Sequence, residues 1–344
     1  MKTLQRKTCG RILLGVVALG AAWTLPARAQ DADLIAKAKA EGVVNYYGIG
    51  APSPTMKELG EAFTKQYGIK FEGFITGGVQ VAQKIQLELM SGRVNADVVE
   101  VGDSSIIMEL AKKNAIAQFV PPGADRLPKG LVSPEGLWVA IARNTYPIIY
   151  NKKLVSEAEA PKSYKDLTDP KWKDKVVVAS PNYGSSQLVF VKGLVELGGW
   201  ELVEGLKKNN LFIVQGWPEA EQAIATGERQ VGVDINVRLA TALKRGENFG
   251  VIYPSEGTIV GASVLGIMKA APHPNAARLF SMFRISQEQQ QLLPKVGMYP
   301  VIVYGGTPAG LQPIDKLKVH VVNADELAAQ AGEIRSRWTK TVER

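Results

Sequence analysis

The chain has 344 residues, with 41 Lys/Arg against 33 Asp/Glu, a formal charge of +8 and a single cysteine. Five of those basic residues (Lys2, Arg6, Lys7, Arg11, Arg28) and no acidic ones fall in positions 1–29, so the remainder holds 36 basic against 33 acidic side chains, a balance of +3. That balance, with no basic run beyond the leader longer than Lys112-Lys113, Lys152-Lys153 or Lys207-Lys208, calls for neither nucleic acid nor an anionic membrane surface; Cys9 lies in the same first stretch, which leaves no thiol for disulfides, thiolate catalysis or cysteine metal sites downstream.

In chain order, residues 1–29 read as an export signal. A basic head is followed by an apolar run at 12–25, short for a membrane span, and by the small-x-small step Ala27-Arg28-Ala29. Removing 29 of 344 residues leaves 315, enough for two lobes of ordinary size. A helix at 33–41, a strand at 43–47, a Gly/Pro/Ser loop at 48–55 and a helix at 56–67 come next. The unit repeats as strand 70–75, turn Thr76-Gly77-Gly78 and helix 79–90. It repeats again as strand 96–101, loop Gly102-Asp103-Ser104-Ser105 and helix 106–114. Strand, glycine or hydroxyl loop, then helix, three times over, means parallel strands joined by helical crossovers.

Residues 141–155, IARNTYPIIYNKKLV, read as a buried strand leaving as a polar loop, the place where the chain crosses between lobes. Arg143 stands just before the apolar part, and a guanidinium is costly to bury unless a structural carboxylate or a bound anion meets it. A second series follows: a short helix opened by Ser163, a turn at 170–175, strand 176–179, a hydroxyl-rich loop at 180–186, helices 187–197 and 200–209, strand 211–214, helix 218–226 closed by Gly227, and strand 231–235. Past Tyr253-Pro254-Ser255-Glu256-Gly257, strand 259–268 and helices 276–283 and 287–293 read as a return to the first lobe. The tail from 325 is helical in composition, with Trp338 as an anchor. The expected organisation is a discontinuous first lobe (30–144 and 256–344, C-terminal helices included) with a second lobe (145–255) inserted.

Three segments go beyond generic α/β patterning: NADVVEVGDSSIIMELAKK; RNTYPIIYNKKLV with PKSYKDLTDPKWKDKVVV; and PSEGTIVGASVLGIMKAAPHPNAARLFSMFRISQEQQQLL. Together they resemble the extracellular solute-binding proteins of ABC importers, in the branch holding ferric-iron binding proteins and their relatives for phosphonates, sugar phosphates and polyamines. The resemblance implies an α/β type II periplasmic-binding-protein fold, with two lobes of mainly parallel sheets joined by a two-crossing hinge. It also implies a periplasmic monomer without a cofactor, whose partners are a small solute and an inner-membrane permease. Ligand is then expected between the lobes, at the carboxyl ends of strands where helix N-termini point inward.

Ferric-iron members carry two adjacent tyrosines after the strand that follows a Gly-Glu step. Here that step is Gly227-Glu228, and the tyrosine positions read Asn236-Val237. Losing both phenolates removes the hard oxygen donors a trivalent cation needs. The two histidines, His273 and His320, read as surface or packing residues. The expected crevice is lined instead by hydroxyls, glycines and guanidinium groups: Ser53, Thr76, Gly77, Asp103, Ser104, Arg143 and Tyr146 from the first part, then Tyr183, Ser185, Asp234, Asn236 and Arg238 from the second. Such a set suits a phosphonate, phosphate ester or carboxylate. Its other reading is that the hydroxyls are only helix caps. Asp103, Asp234 and Glu256 answer a positive group on the ligand, or else pair internally with Arg143 or Arg238; Tyr47 and Trp217 could floor the pocket or belong to the core. An enzyme on the same fold finds no thiol, no G-x-S-x-G elbow and no histidine placed as a base. Ferric-iron binding for an iron(III) importer stays as the alternative and an enzyme as a minor one, and a binding protein read by a chemotaxis or sensor partner is a further rival.

Overall fold

The computed structural model describes residues 25–49, 54–302 and 306–344, with side chains over 31–49, 57–302 and 306–344. Residues 1–24 of the expected export signal, and Ser53, lie outside them. The chain runs through α1 (Leu25–Glu41), β1 (Val43–Ile49), α2 (Pro54–Tyr67), β2 (Lys70–Thr76), α3 (Gly78–Ser91), β3 (Val98–Val101), α4 (Ser105–Lys112), β4 (Ile116–Ala117) and β5 (Val139–Thr145). It continues as β6 (Ile148–Asn151), β7 (Val176–Ala179), α5 (Ser185–Lys208), β8 (Phe212–Val214), α6 (Trp217–Thr226), β9 (Val231–Val233), α7 (Asn236–Lys244) and β10 (Phe249–Ile252). It closes with β11 (Thr258–Met268), α8 (Pro274–Arg284), α9 (Gln287–Leu292), β12 (Val319–Val321) and α10 (Ala324–Trp338).

These strands form two sheets. One has the order β12-β11-β3-β1-β2, with β4 and β5 also on β11; the other has the order β10-β6-β9-β7-β8. Pairing is parallel inside each strand-helix series, β1 with β2 and β3, β7 with β8 and β9. It is antiparallel where the crossing strands join, β11 with β3 and β5, β6 with β9 and β10. Helical crossovers impose the first pattern, and strands delivered from the neighbouring lobe are free of it.

The run 141–155, expected as one strand, is two strands in different sheets. Pro147 has no N–H to give a ladder and breaks the run between Thr145 and Ile148, so β5 belongs to the first sheet and β6 to the second. The chain recrosses between β10 and β11. Residues 236–252 carry no element in the sequence reading, yet they form α7 and β10.

The C-terminal helix corrects another expectation. Asn323 accepts the N–H groups of Asp325 and Glu326 (2.9 and 3.0 Å), a cap that turns the chain out of β12. The stripe Leu327, Ala331, Ile334 and Trp338 then packs in the second lobe's cluster with Phe190 and Tyr146, and α10 lies against both α4 and α5. The helix therefore makes a third passage between lobes instead of staying with the first. Burying an aromatic of this size stabilises by about 3 kcal/mol, which makes the anchoring strong.

Candidate functional site

The lobes touch where α3 and α4 on one side face the start of α5 on the other. The Gly102 N–H donates to Ser185 Oγ (3.0 Å). A Cβ on Gly102 would come within 2.8 Å of that oxygen and 3.1 Å of the Ser186 nitrogen, and one on Gly78 within 3.0 Å of the same oxygen. At Gly102 a side chain would collide with the hydroxyl and backbone of the other lobe, and at Gly78 it would crowd the same serine. The Trp217 Nε1–H donates to Ser186 Oγ (2.8 Å), and the Trp217 ring stacks on Tyr146 (5.7 Å between centroids), so the α6 start and the first crossing join the same seam.

Helices α3, α5, α6 and α7 follow the carboxyl ends of β2, β7, β8 and β9. They begin on Gly77, Gly184, Gly216 and Ile235, none with a side-chain cap. The reading of the hydroxyls as helix caps thus fails at these starts, and their first-turn N–H groups lack a side-chain acceptor. Several buried polar atoms of the seam and crossing make no hydrogen bond among the described residues: Asp103 Oδ2, Ser105 Oγ, Thr145 Oγ1, Tyr146 OH and Asp234 Oδ2. Atoms of this kind also occur in the core, at Trp138 and Gln289, but these five belong to loops and strand ends that meet. Burial pushes the Asp103 carboxyl above the usual range, only partly offset by the Ser105 contacts, the charge of Arg335 and the Ser185 hydroxyl. Burial, reinforced by Glu221, pushes Asp234 well above it.

The other expected site residues divide. Thr76 ends β2 and Gly77 is the uncapped start of α3, one residue before Gly78, which meets Ser185. Ser104 is buried with its hydroxyl donating to the Ala324 carbonyl (2.6 Å). Tyr183 is 49% exposed on the loop before α5. Arg143 is half-buried, with Nε donating to the Pro300 carbonyl (2.8 Å) and no described carboxylate within 4.0 Å. Burial lowers its pKa, with the more distant Asp315 opposing.

Four residues are engaged by other parts of the protein, although Glu256 Oε2 and Arg238 Nε are buried without a partner among the described residues. The Tyr47 hydroxyl donates to Glu88 Oε1 (2.7 Å) beneath α3, away from the seam partners. Asn236 is spent at both ends, with Oδ1 accepting from the Thr145 N–H (2.8 Å) and Nδ2 donating to the Gly297 carbonyl (2.7 Å), so it clamps the crossing. Arg238 is paired with Glu221 (2.9 Å). Glu256 Oε1 accepts the Tyr164 N–H (2.6 Å), capping the turn after Ser163. Such long-range partners leave no trace in local sequence.

Arg335 was not foreseen. It reaches the seam from α10, Nε donating to the Pro181 carbonyl (3.1 Å). Residues 94–329 match the family described as bacterial extracellular solute-binding protein. The chain is 27% identical over 307 residues to iron uptake protein A1 of Synechocystis sp., covering 81% of this chain and 84% of that one. It is 24% identical over 300 residues to a putative 2-aminoethylphosphonate-binding periplasmic protein of Salmonella paratyphi A, covering 82% and 86%. Iron-bound HitA from Pseudomonas aeruginosa superposes with a TM-score of 0.74 at 25% identity, over 86% of this chain and 98% of that one. With two α/β lobes meeting over partnerless polar groups, and a match spanning more than half its length, this chain belongs to the bacterial extracellular solute-binding protein family, whose members capture solutes for ABC importers.

Proposed function

We propose that this chain is an exported, periplasmic binding component of an ABC importer whose solute is a small zwitterion: a phosphonate, phosphate ester or carboxylate that also carries an ammonium group. The observation that carries the reading is Asp103, 2% exposed, with one carboxylate oxygen partnerless at a seam lined by uncapped helix starts. Helix starts, together with Arg143, which has no described carboxylate within 4.0 Å, favour an acid group. A buried, half-satisfied carboxylate favours a cation. Closing the lobes about the crossings at 145–148 and 252–258 would strip water from both charges and present the loaded form to the permease, with no bond made or broken.

Iron is the second reading, favoured by the name of the Synechocystis relative. Against it, Asn236 stands where a phenolate would, and both ends of its amide are engaged. Calorimetric titration of ligand-stripped protein separates the two. The zwitterion reading predicts saturable one-to-one binding of an aminoalkylphosphonate by colourless protein. Saturable ferric uptake with visible absorption, and no response to zwitterions, overturns it.

A further inference from the structure

The C-terminal helix is fastened to both ligand loops. At its start the Ser104 hydroxyl, in the loop after β3, donates to the Ala324 carbonyl (2.6 Å). Towards its end the loop before α5 takes over: Arg335 donates to the Pro181 carbonyl, and Asn182 Nδ2 donates to Thr339 Oγ1 (2.9 Å) and Glu343 Oε2 (2.8 Å) in the turn at 339–343 that follows the helix. Ile334 and Trp338, on either side of Arg335, are buried at 4% and 0% exposure, so the helix backbone at that position is fixed by packing. Arg335 therefore stands on a rigid element between the loop of Asp103 and the loop of Ser185.

Its chemistry there is specific. Nε is spent on Pro181, which orients the guanidinium plane and leaves the two Nη groups, a pair suited to a bidentate acid. No described carboxylate lies within 4.0 Å of it. Asp103 sits next to Ser104, whose hydroxyl holds the start of α10. Burial raises the Asp103 pKa and the Arg335 charge lowers it, yet the two form no ion pair and Asp103 Oδ2 has no hydrogen-bond partner among the described residues. Arg337, two residues on, lies instead over the Trp200 ring (4.6 Å), a packing role that Arg335 does not share.

We infer that Arg335 is a solute-binding residue supplied by the C-terminal helix, meeting the acid group of a zwitterion whose ammonium group goes to Asp103. This rests on the zwitterion reading above. The couple acts as a two-sided charge reader: the carboxylate comes from the first lobe, and the guanidinium comes from a helix bound to both.

The test is calorimetric titration of full mature protein, ligand-stripped, with 2-aminoethylphosphonate, with ethylphosphonate, which lacks the amine, and with ethanolamine, which lacks the acid. Wild type is compared with Arg335→Gln, Arg335→Lys and Asp103→Asn, and urea unfolding of each ligand-free variant is followed in parallel. Arg335→Gln is expected to weaken 2-aminoethylphosphonate at least tenfold and to erase its preference over ethanolamine, with Arg335→Lys intermediate. Asp103→Asn is expected to erase the preference over ethylphosphonate. Wild-type preferences retained in Arg335→Gln overturn the inference alone and assign Arg335 to holding the Pro181 loop, whatever happens to the urea midpoint. Wild type that binds none of the three probes overturns the zwitterion reading, and the inference with it.

Discussion

Two aspartates stand at opposite ends of β3, and their surroundings differ in kind. Asp97, before the strand, is 0% exposed and fully bonded: Oδ1 accepts the His273 N–H (2.7 Å), and Oδ2 accepts the Asn45 N–H (2.6 Å) and faces His273 Nδ1 (2.9 Å). Asp103, after the strand, is 2% exposed, with Oδ1 accepting the Ser105 N–H (2.7 Å) and Oδ2 without a hydrogen-bond partner among the described residues. The helix starts follow the same division. At the Asp97 end, Glu41 takes the N–H groups of Asn275 and Ala276 at the start of α8 (3.1 and 2.7 Å). At the Asp103 end, α3 starts on Gly77 with no cap. At one end the carboxylate and the helix start are satisfied from within the protein; at the other, one oxygen of Asp103 and the first turn of α3 have no side-chain partner among the described residues.

The largest effect is expected at Asp97. Asp97→Ala strands three donors around a buried site and is expected to lower stability by about 3 kcal/mol in urea unfolding, leaving ligand affinity unchanged in the surviving folded fraction. Arg143→Ala should instead weaken binding by about 2 kcal/mol in titration, with little change in unfolding midpoint, as for one partner lost from a buried charged contact. A wild-type dissociation constant in that variant would make the guanidinium a support for Pro300 only. Gly102→Ala pushes a methyl into Ser185 and Ser186 and should cost about tenfold in affinity, near 1.4 kcal/mol, by holding the lobes apart. Small-angle scattering of the variant with ligand should then show the more extended form.

The smallest effect is on pH dependence. Burial raises the folded-state pKa of Asp103 and Asp234 above the unfolded value, so the folded protein binds more protons than the unfolded chain. Their contribution to stability is fully present below the ordinary carboxylate range and is lost as pH rises through the raised values. Ligand-free Asp103→Asn/Asp234→Asn should therefore flatten the decline of the urea midpoint between mildly acid and neutral pH. An unchanged slope would mean these carboxylates are solvated in solution.

Much of this organisation was legible in the sequence because it is local. The three strand-loop-helix units, a crossing within 141–155 and the hydroxyl-rich loop before α5 follow from periodicity and turn residues, whereas the break at Pro147 that sends β5 and β6 to different sheets does not. What escaped is non-local. Nothing around Asn236 announces that Thr145 and Gly297 will consume its amide, and Ile235 gives no cap signal for α7. The run around Tyr47 does not say that Glu88, forty-one residues on, will take its hydroxyl. Arg335 reads as one more cation on an amphipathic tail until α10 is seen to leave the first sheet and pack on α5.

The most direct test of the account is a thermal-shift comparison of ligand-stripped protein with aminoalkylphosphonates and amino acids, sugar phosphates and ferric citrate. Ligand at a hundred times its dissociation constant stabilises the folded form by about 2.7 kcal/mol, which moves the midpoint by several degrees. A rise with compounds carrying both an ammonium and an acid group, exceeding that with either group alone, is the predicted result. A rise with ferric citrate alone would contradict the account and make the partnerless groups at the Asp103 end donors to a metal.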